Sequence, residues 1–178
     1  MVRQRAALIW PIGLLALLCN PVAYGSVRIL PAESVAGVHE KYTLRVPNEK
    51  LTDAVRVVGE FPAGLKIYNF EFKPGWKLSI HRDAAGNIIG AEWRGRLRPY
   101  EFAEFGLLGS NPVEPATLVW KFVQHYADGS KEEYSGPAGS RYPAPVTHIL
   151  APSGGSGEAL PRNANPSPPV LLDPAAHH

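Results

Sequence analysis

The sequence has very little cysteine and no long hydrophobic run. Its one cysteine, Cys19, lies near the amino terminus, so the rest of the chain has no disulfide. The apolar stretch from Ala6 to Leu18 has 13 residues and is broken by Pro11 and Gly13. It falls short of the ~20 residues that a helix needs to span a bilayer, which disfavours a membrane anchor.

Recognisable catalytic motifs are also missing. The chain has no Gly-x-Ser-x-Gly, no phosphate-binding loop, no His-Glu-x-x-His and no dinucleotide fingerprint. The acidic pairs Glu101/Glu104 and Glu132/Glu133 could resemble a glycosidase dyad, but no sugar-binding pattern accompanies them. We therefore expect a protein that binds rather than an enzyme. Four histidines are too widely spaced to indicate a metal site on their own: His39, His81, His125 and His148. The adjacent His177 and His178 could bind a metal ion weakly, but two neighbours on a loose tail make a poor preorganised site.

The amino terminus has the layout of a cleavable export signal over residues 1–25. Arg3 and Arg5 precede the apolar stretch, and Ala23-Tyr24-Gly25 supplies small residues at the −3 and −1 positions before Ser26. Lipidation of Cys19 is disfavoured, because the large residue Leu18 precedes it. We expect a periplasmic or extracellular protein. Without the signal, 16 basic residues balance 16 acidic ones, which argues against nucleic-acid binding.

The carboxyl terminus has the composition of a flexible tail. Residues 151–178 are rich in proline, glycine and serine, and their apolar residues are too sparse to offset the entropy lost on ordering. The apolar triplet at 170–172 is too short to span a membrane. The mature chain is therefore predicted to lack a transmembrane segment, with a single domain over residues 26–150.

Within that domain, apolar and polar residues alternate with the period of β-strands. Tyr42, Leu44 and Val46 alternate with charged or polar residues, and no segment shows a sustained helical period. Glycine-containing turns at 83–87 and 127–130 separate strand-like runs. We predict an all-β fold, a single β-sandwich of cupredoxin or immunoglobulin type, with Trp76, Trp93 and Trp120 in its core. It would have eight or nine strands, at about 27–30, 40–47, 53–60, 65–72, 76–82, 88–94, 101–109, 117–126 and 131–135.

Several short sequence motifs, taken in their order along the chain, resemble those of the YcnI-like copper-binding domain family. They extend from about residue 26 to 149 and include Pro31-Ala32-Glu33-Ser34, Glu40 to Lys50, Lys73 to Lys77, Pro99 to Phe105, Gln124 to Gly129 and Ser135-Gly136-Pro137. The resemblance implies a non-enzymatic copper-homeostasis protein whose partners are a copper transporter or a copper chaperone of the cell envelope. It also implies a Cu²⁺ site made by a histidine freed by signal cleavage, a glutamate and a nearby tryptophan.

This sequence keeps only part of that ligand set. The glutamate corresponds to Glu49, the first histidine to Ser26 and the tryptophan to Tyr134. The amine of Ser26 and the carboxylate of Glu49 suit Cu²⁺, whereas a neutral serine hydroxyl is a poor ligand. We expect a degenerate amino-terminal copper site. The alternative is a metal-free sandwich that acts as an interaction module or accessory subunit of a copper-handling system.

Overall fold

The computed structural model describes residues 26–154, and these form twelve β-strands and no helix. The predicted signal at 1–25 and all but the first residues of the predicted tail lie outside the described residues. None of the described residues forms a helix long and apolar enough to cross a membrane. The strands are β1 Arg28–Leu30, β2 Glu33–Val35, β3 His39–Pro47, β4 Ala54–Glu60, β5 Lys66–Phe70, β6 Lys77–Arg82, β7 Ile88–Leu97, β8 Phe102–Ser110, β9 Ala116–Val119, β10 Lys121–Tyr126, β11 Lys131–Tyr134 and β12 Val146–Leu150.

Two sheets face each other across one core, which confirms the predicted all-β sandwich. One sheet has the strand order β1-β3-β8-β5 and the other β11-β10-β4-β7-β6. Side chains alternate between core and solvent along each strand, because successive residues of a strand point to opposite faces. The ring of Trp93 on β7 lies 5.0 Å from that of Phe105 on β8, so large aromatic side chains join the two sheets.

A third, smaller sheet accounts for most of the difference between the predicted and observed numbers of strands. Its order is β2-β12-β9, with β2 and β12 parallel. The predicted strand at 117–126 is interrupted at Trp120, so that β9 belongs to this sheet and β10 to the five-stranded one. Strands β2 and β12 were not predicted. β2 has only three residues and follows Pro31, and β12 follows Pro143 and Pro145.

Strand β6 differs from its predicted burial. Leu78 and Ile80 alternate with polar residues in the sequence, a pattern that predicts a half-buried strand, yet all six residues of β6 are exposed. The strand lies at the edge of the five-stranded sheet. Trp76, which precedes it, is only partly buried, whereas Trp93 and Trp120 lie fully in the core as predicted.

The loop after β3 is fixed by one buried side chain, Asn48. Its Nδ2 donates to the carbonyl oxygens of Thr52 at 2.8 Å and Leu97 at 3.0 Å, and its Oδ1 accepts from the backbone N–H of Lys50 at 3.0 Å. These bonds tie the loop to its own backbone and to the end of β7. The loop thus holds Glu49 at a defined place at one end of the sandwich.

Candidate functional site

One pocket at this end of the sandwich brings together the three site residues that the sequence predicts. Ser26, Glu49 and Tyr134 all line it. They come from different elements, since Ser26 precedes β1, Glu49 follows β3 and Tyr134 ends β11. The other lining residues are Pro47, Lys50, Glu132, Arg141 and Tyr142. Whether Ser26, Glu49 and Tyr134 bind a metal ion stays a prediction.

The wall of the pocket is built around the carboxylate of Glu132, whose side chain is only 14% exposed. Its Oε2 accepts hydrogen bonds from the phenols of Tyr126 at 2.7 Å and Tyr134 at 3.0 Å. Its Oε1 accepts one from Tyr142 at 3.1 Å. A buried carboxylate is stable when such donors satisfy its oxygens. Glu132 therefore organises the three tyrosines.

Lys50 brings a positive charge close to this carboxylate. Its Nζ lies 3.8 Å from Oε1 of Glu132 and donates to Oγ of Ser130 at 2.9 Å. The same ammonium lies 4.2 Å from the centre of the Tyr126 ring, within cation–π range. Lys50 thus offsets the charge of Glu132 but also places a cation in the lining of the pocket.

The tyrosines are held in their neutral form. Burial, with the hydrogen bond to Glu132 and its charge, raises the pKa of Tyr126 and that of Tyr134 far above the usual value. Burial and the charge of Glu132 also raise the pKa of Tyr142. A metal ligand must offer a lone pair on a deprotonated or neutral donor, and phenols become good ligands only as phenolates. Tyr134 is therefore a poor Cu²⁺ ligand in this setting.

The described histidines do not converge on this pocket. Within residues 26–154 no three or more His, Cys, Asp or Glu side chains are grouped so as to hold a metal ion. His39 contacts the hydroxyls of Tyr68 at 3.2 Å and Ser110 at 3.0 Å, while His125 contacts the Arg56 guanidinium. His177 and His178 lie outside the described residues. No described histidine is among the residues that line the pocket.

The pocket residues lie within a sequence range that a known family shares. The family model described as a domain of unknown function, DUF1775, matches residues 27–149. The chain belongs to the DUF1775 family. The match extends from the start of β1 to the end of β12 and includes Glu49 and Tyr134, while Ser26 immediately precedes it.

A curated relative in the DUF1775 family is described as a copper-binding protein. The copper-binding protein CutI of Bacillus subtilis strain 168 is 31% identical to this chain over 155 residues, which is 85% of this chain and 76% of CutI. This relationship confirms the YcnI-like resemblance. It shows that the family includes a copper-related function.

A solved structure supports the immunoglobulin-like character of the fold. An uncharacterised protein from Nocardia farcinica with an immunoglobulin-like fold superposes with a TM-score of 0.58 at 20% identity, over 70% of this chain and 96% of that one. A cohesin module from Clostridium perfringens aligns less closely, with a TM-score of 0.47 at 9% identity, over 71% of this chain and 93% of that one.

Besides Pro47, four residues of the pocket were not predicted as site residues in this DUF1775 member. These are Lys50, Glu132, Arg141 and Tyr142. The sequence does hold one signal for Glu132, because it is in phase with Tyr134 along β11 while Lys131 and Glu133 point the other way. A charged residue on the inward face of a strand needs partners. The tyrosines that satisfy it come from separate elements, so their convergence depends on the tertiary fold.

Proposed function

We propose that this protein is an exported, non-enzymatic member of the copper-handling DUF1775 family that binds Cu²⁺ weakly at the Ser26–Glu49 end of the sandwich. The observation that carries the proposal is the shared pocket of Ser26 and Glu49. It would join an amine nitrogen and a carboxylate oxygen, which are donors that Cu²⁺ accepts. Copper is here a cargo that the protein holds and passes on.

The expected affinity is low for three reasons. The amine of Ser26 lacks the adjacent imidazole that a histidine would supply. The phenol of Tyr134 is hydrogen-bonded to Glu132 and stays protonated. Lys50 and Arg141 also line the pocket, and their positive charges oppose a divalent cation.

The location and partners of the protein follow from the same proposal. Export by the signal at 1–25 would release the amine of Ser26 only outside the cytoplasm. The protein would then work in the periplasm or outside the cell, beside a copper transporter or a copper chaperone of the envelope. The charge balance of the mature chain favours no role with nucleic acid.

A second candidate is a metal-free interaction module, and the Glu132 cluster favours it. The carboxylate already accepts three phenol hydrogen bonds and lies beside the Lys50 ammonium, so this part of the pocket needs no metal to be stable. A domain that had exchanged its metal ligands for such a network would keep the sandwich for contacts with another protein.

Calorimetric titration of Cu²⁺ into the mature chain that begins at Ser26 separates the two candidates. The parent should carry His177→Ala and His178→Ala, so that the terminal histidines do not contribute. Weak one-to-one binding that Glu49→Gln abolishes, and that Ser26→His strengthens by roughly a hundredfold or more, supports the copper proposal. Glu104→Gln, whose carboxylate pairs with Arg45 on the outer face of the other sheet, is the matched control.

No binding in the parent, with none restored by Ser26→His, would favour the metal-free module. Tight binding by the parent that Glu49→Gln leaves intact would place copper elsewhere and contradict both candidates.

A further inference from the structure

A continuous row of basic side chains crosses the five-stranded sheet. In order of register it contains Lys131 on β11, His125 on β10, Arg56 on β4, Arg94 on β7 and Lys77 on β6. Each is the direct cross-strand partner of the next. With neighbouring strands about 4.8 Å apart, the row is about 19 Å long.

The row lies on the outer face of the sheet. Val57, Trp93 and Gln124 are buried neighbours of row residues in sequence, so Arg56, Arg94 and His125 point away from the core. The side chains of Lys131 and Arg94 are 57% and 59% exposed. The cations are therefore presented to solvent along a line perpendicular to the strands.

Such a row is unfavourable for the fold alone, because like charges directly opposite each other destabilise a sheet. Two carboxylates in the next row compensate for part of it. Glu92 pairs with both Arg56, at 3.5 Å, and Arg94, while Glu133 pairs with Lys131. Four permanent cations thus face two carboxylates, which leaves an excess positive charge of about two along the line.

Neighbouring basic residues of this sheet are paired with carboxylates and do not add to the excess, since Arg96 pairs with Asp53. Lys121 lies 3.8 Å from Glu60, its cross-strand partner, so that row is balanced. The charges of the row also affect His125, its second residue. Partial burial and the charges of Arg56 and Lys131 lower the pKa of His125, against the opposing effect of Glu92 and Glu133.

We propose that this basic row is a docking surface for the acidic face of a helix in a partner protein. Carboxylates three and four residues apart on a helix lie about 5–6 Å from one another, close to the spacing of the row. Carboxylates on one face of an extended strand are about 6.6 Å apart and lose register sooner. Glu92 fixes the guanidinium groups of Arg56 and Arg94, which pre-organises the centre of the row.

A lipid surface fits the row less well. Peripheral membrane attachment combines basic residues with apolar side chains that enter the bilayer. The apolar residues between the charges on this face are Val58 and Val123, and both are half-buried in the sheet. Neither is long enough to insert.

The inference goes beyond the proposed copper site and does not depend on it. The row ends at Lys131, whose neighbour Glu132 lies in the wall of the pocket. Lys131 and Glu132 point to opposite faces of β11, so a partner on the row would lie on the other side of this strand from the pocket lining.

The test uses a labelled synthetic peptide, about 18 residues long, that is helical and carries glutamates along one face. A second peptide has glutamine at the same positions. Binding to the full mature chain is followed by fluorescence anisotropy at low ionic strength and again as salt is raised, without copper. The row variant is Lys77→Glu with Lys131→Glu. The control, Lys121→Glu with Lys41→Glu, changes the net charge equally, at another row and on the other sheet.

Binding of the glutamate peptide alone, weakened about tenfold or more by the row variant and less than about threefold by the control, supports the proposal. Equal weakening by both variants would show that peptide binding depends only on the net charge of the protein, and it would overturn the proposal. The proposal also fails if the parent does not bind the glutamate peptide. Row-dependent binding to phosphatidylglycerol vesicles without peptide binding would assign the surface to lipid instead.

Discussion

The phenol of Tyr134 donates a hydrogen bond to the carboxylate of Glu132, two residues earlier on the same strand, at 3.0 Å. Strand geometry places both side chains on the same face of β11. The hydroxyl of Tyr134 is thus already engaged by a carboxylate on its own strand. Several measurable consequences follow from this arrangement.

Removing the charge of Glu132 should destabilise the protein. Glu132→Gln keeps the shape but replaces a carboxylate that accepts from Tyr126, Tyr134 and Tyr142 and faces Lys50. We expect a loss of about 2–3 kcal/mol in the free energy of unfolding, measured by urea denaturation. Glu133→Gln, on the exposed face of the same strand, should leave the free energy of unfolding nearly unchanged. Equal losses would contradict the central role of Glu132.

Stability should fall at alkaline pH because of the same cluster. Burial and Glu132 raise the pKa values of Tyr126 and Tyr134 in the folded state. Unfolded tyrosine ionises near pH 10, so the unfolded chain loses protons first. The stabilisation is therefore complete below about pH 10 and declines above it. Denaturation at a series of pH values should show a shallower decline in Tyr134→Phe, and an unchanged slope would argue against the raised pKa.

His125 should titrate below the usual range for histidine. Partial burial is the largest cause of the lowered pKa, and the positive charges of Arg56 and Lys131 lower the pKa further. Because its pKa is lower in the folded state, stability is complete above about pH 6.5 and declines as the pH falls towards the folded value. Lys131→Gln should raise the pKa of His125 in an NMR titration, while Lys121→Gln, in another row, should not. An equal shift in both variants would show that the effect is not local.

Asn48 should support the site without belonging to its proposed ligands. Asn48→Ala removes three hydrogen bonds that fix the loop carrying Glu49. A cost of about 2–3 kcal/mol is expected in urea denaturation, since buried backbone groups lose their partners. In the Ser26→His background it should also weaken Cu²⁺ binding. Asn69→Ala, at an exposed position on β5, is the control, and an equal effect there would remove the special role of Asn48.

The sequence predicted those parts of the fold that depend on local pattern. The alternation of Tyr42, Leu44 and Val46 with polar residues matches a fully buried face of β3. The turns at 83–87 and 127–130 form as expected, with positive φ at Gly86 and Gly129.

The burial of β6 and the existence of β12 depend on the order of strands in the sheets, which the local sequence pattern does not predict. The alternation in β6 is as regular as in β3, yet all six residues of β6 are exposed. Strand β12 is paired with β2 and β9 from distant parts of the chain. The prolines that precede it made a strand there difficult to predict from the sequence.

The candidate site was likewise predicted only in part. Glu49, Ser26 and Tyr134 were located by resemblance to a family, and the structure brings them to one pocket. The Glu132 cluster was not predicted, because hydrogen bonds from Tyr126, Tyr134 and Tyr142 to one carboxylate require a particular packing of β10, β11 and the following loop.

Electron paramagnetic resonance of the Cu²⁺-loaded mature chain, with His177→Ala and His178→Ala, tests the central claim most directly. The account predicts a weakly held Cu²⁺ with a single nitrogen donor that disappears when the amine of Ser26 is acetylated, and a further nitrogen donor in Ser26→His. A tightly held Cu²⁺ with several nitrogen donors, unaffected by acetylation of Ser26 or by Glu49→Gln, would contradict it.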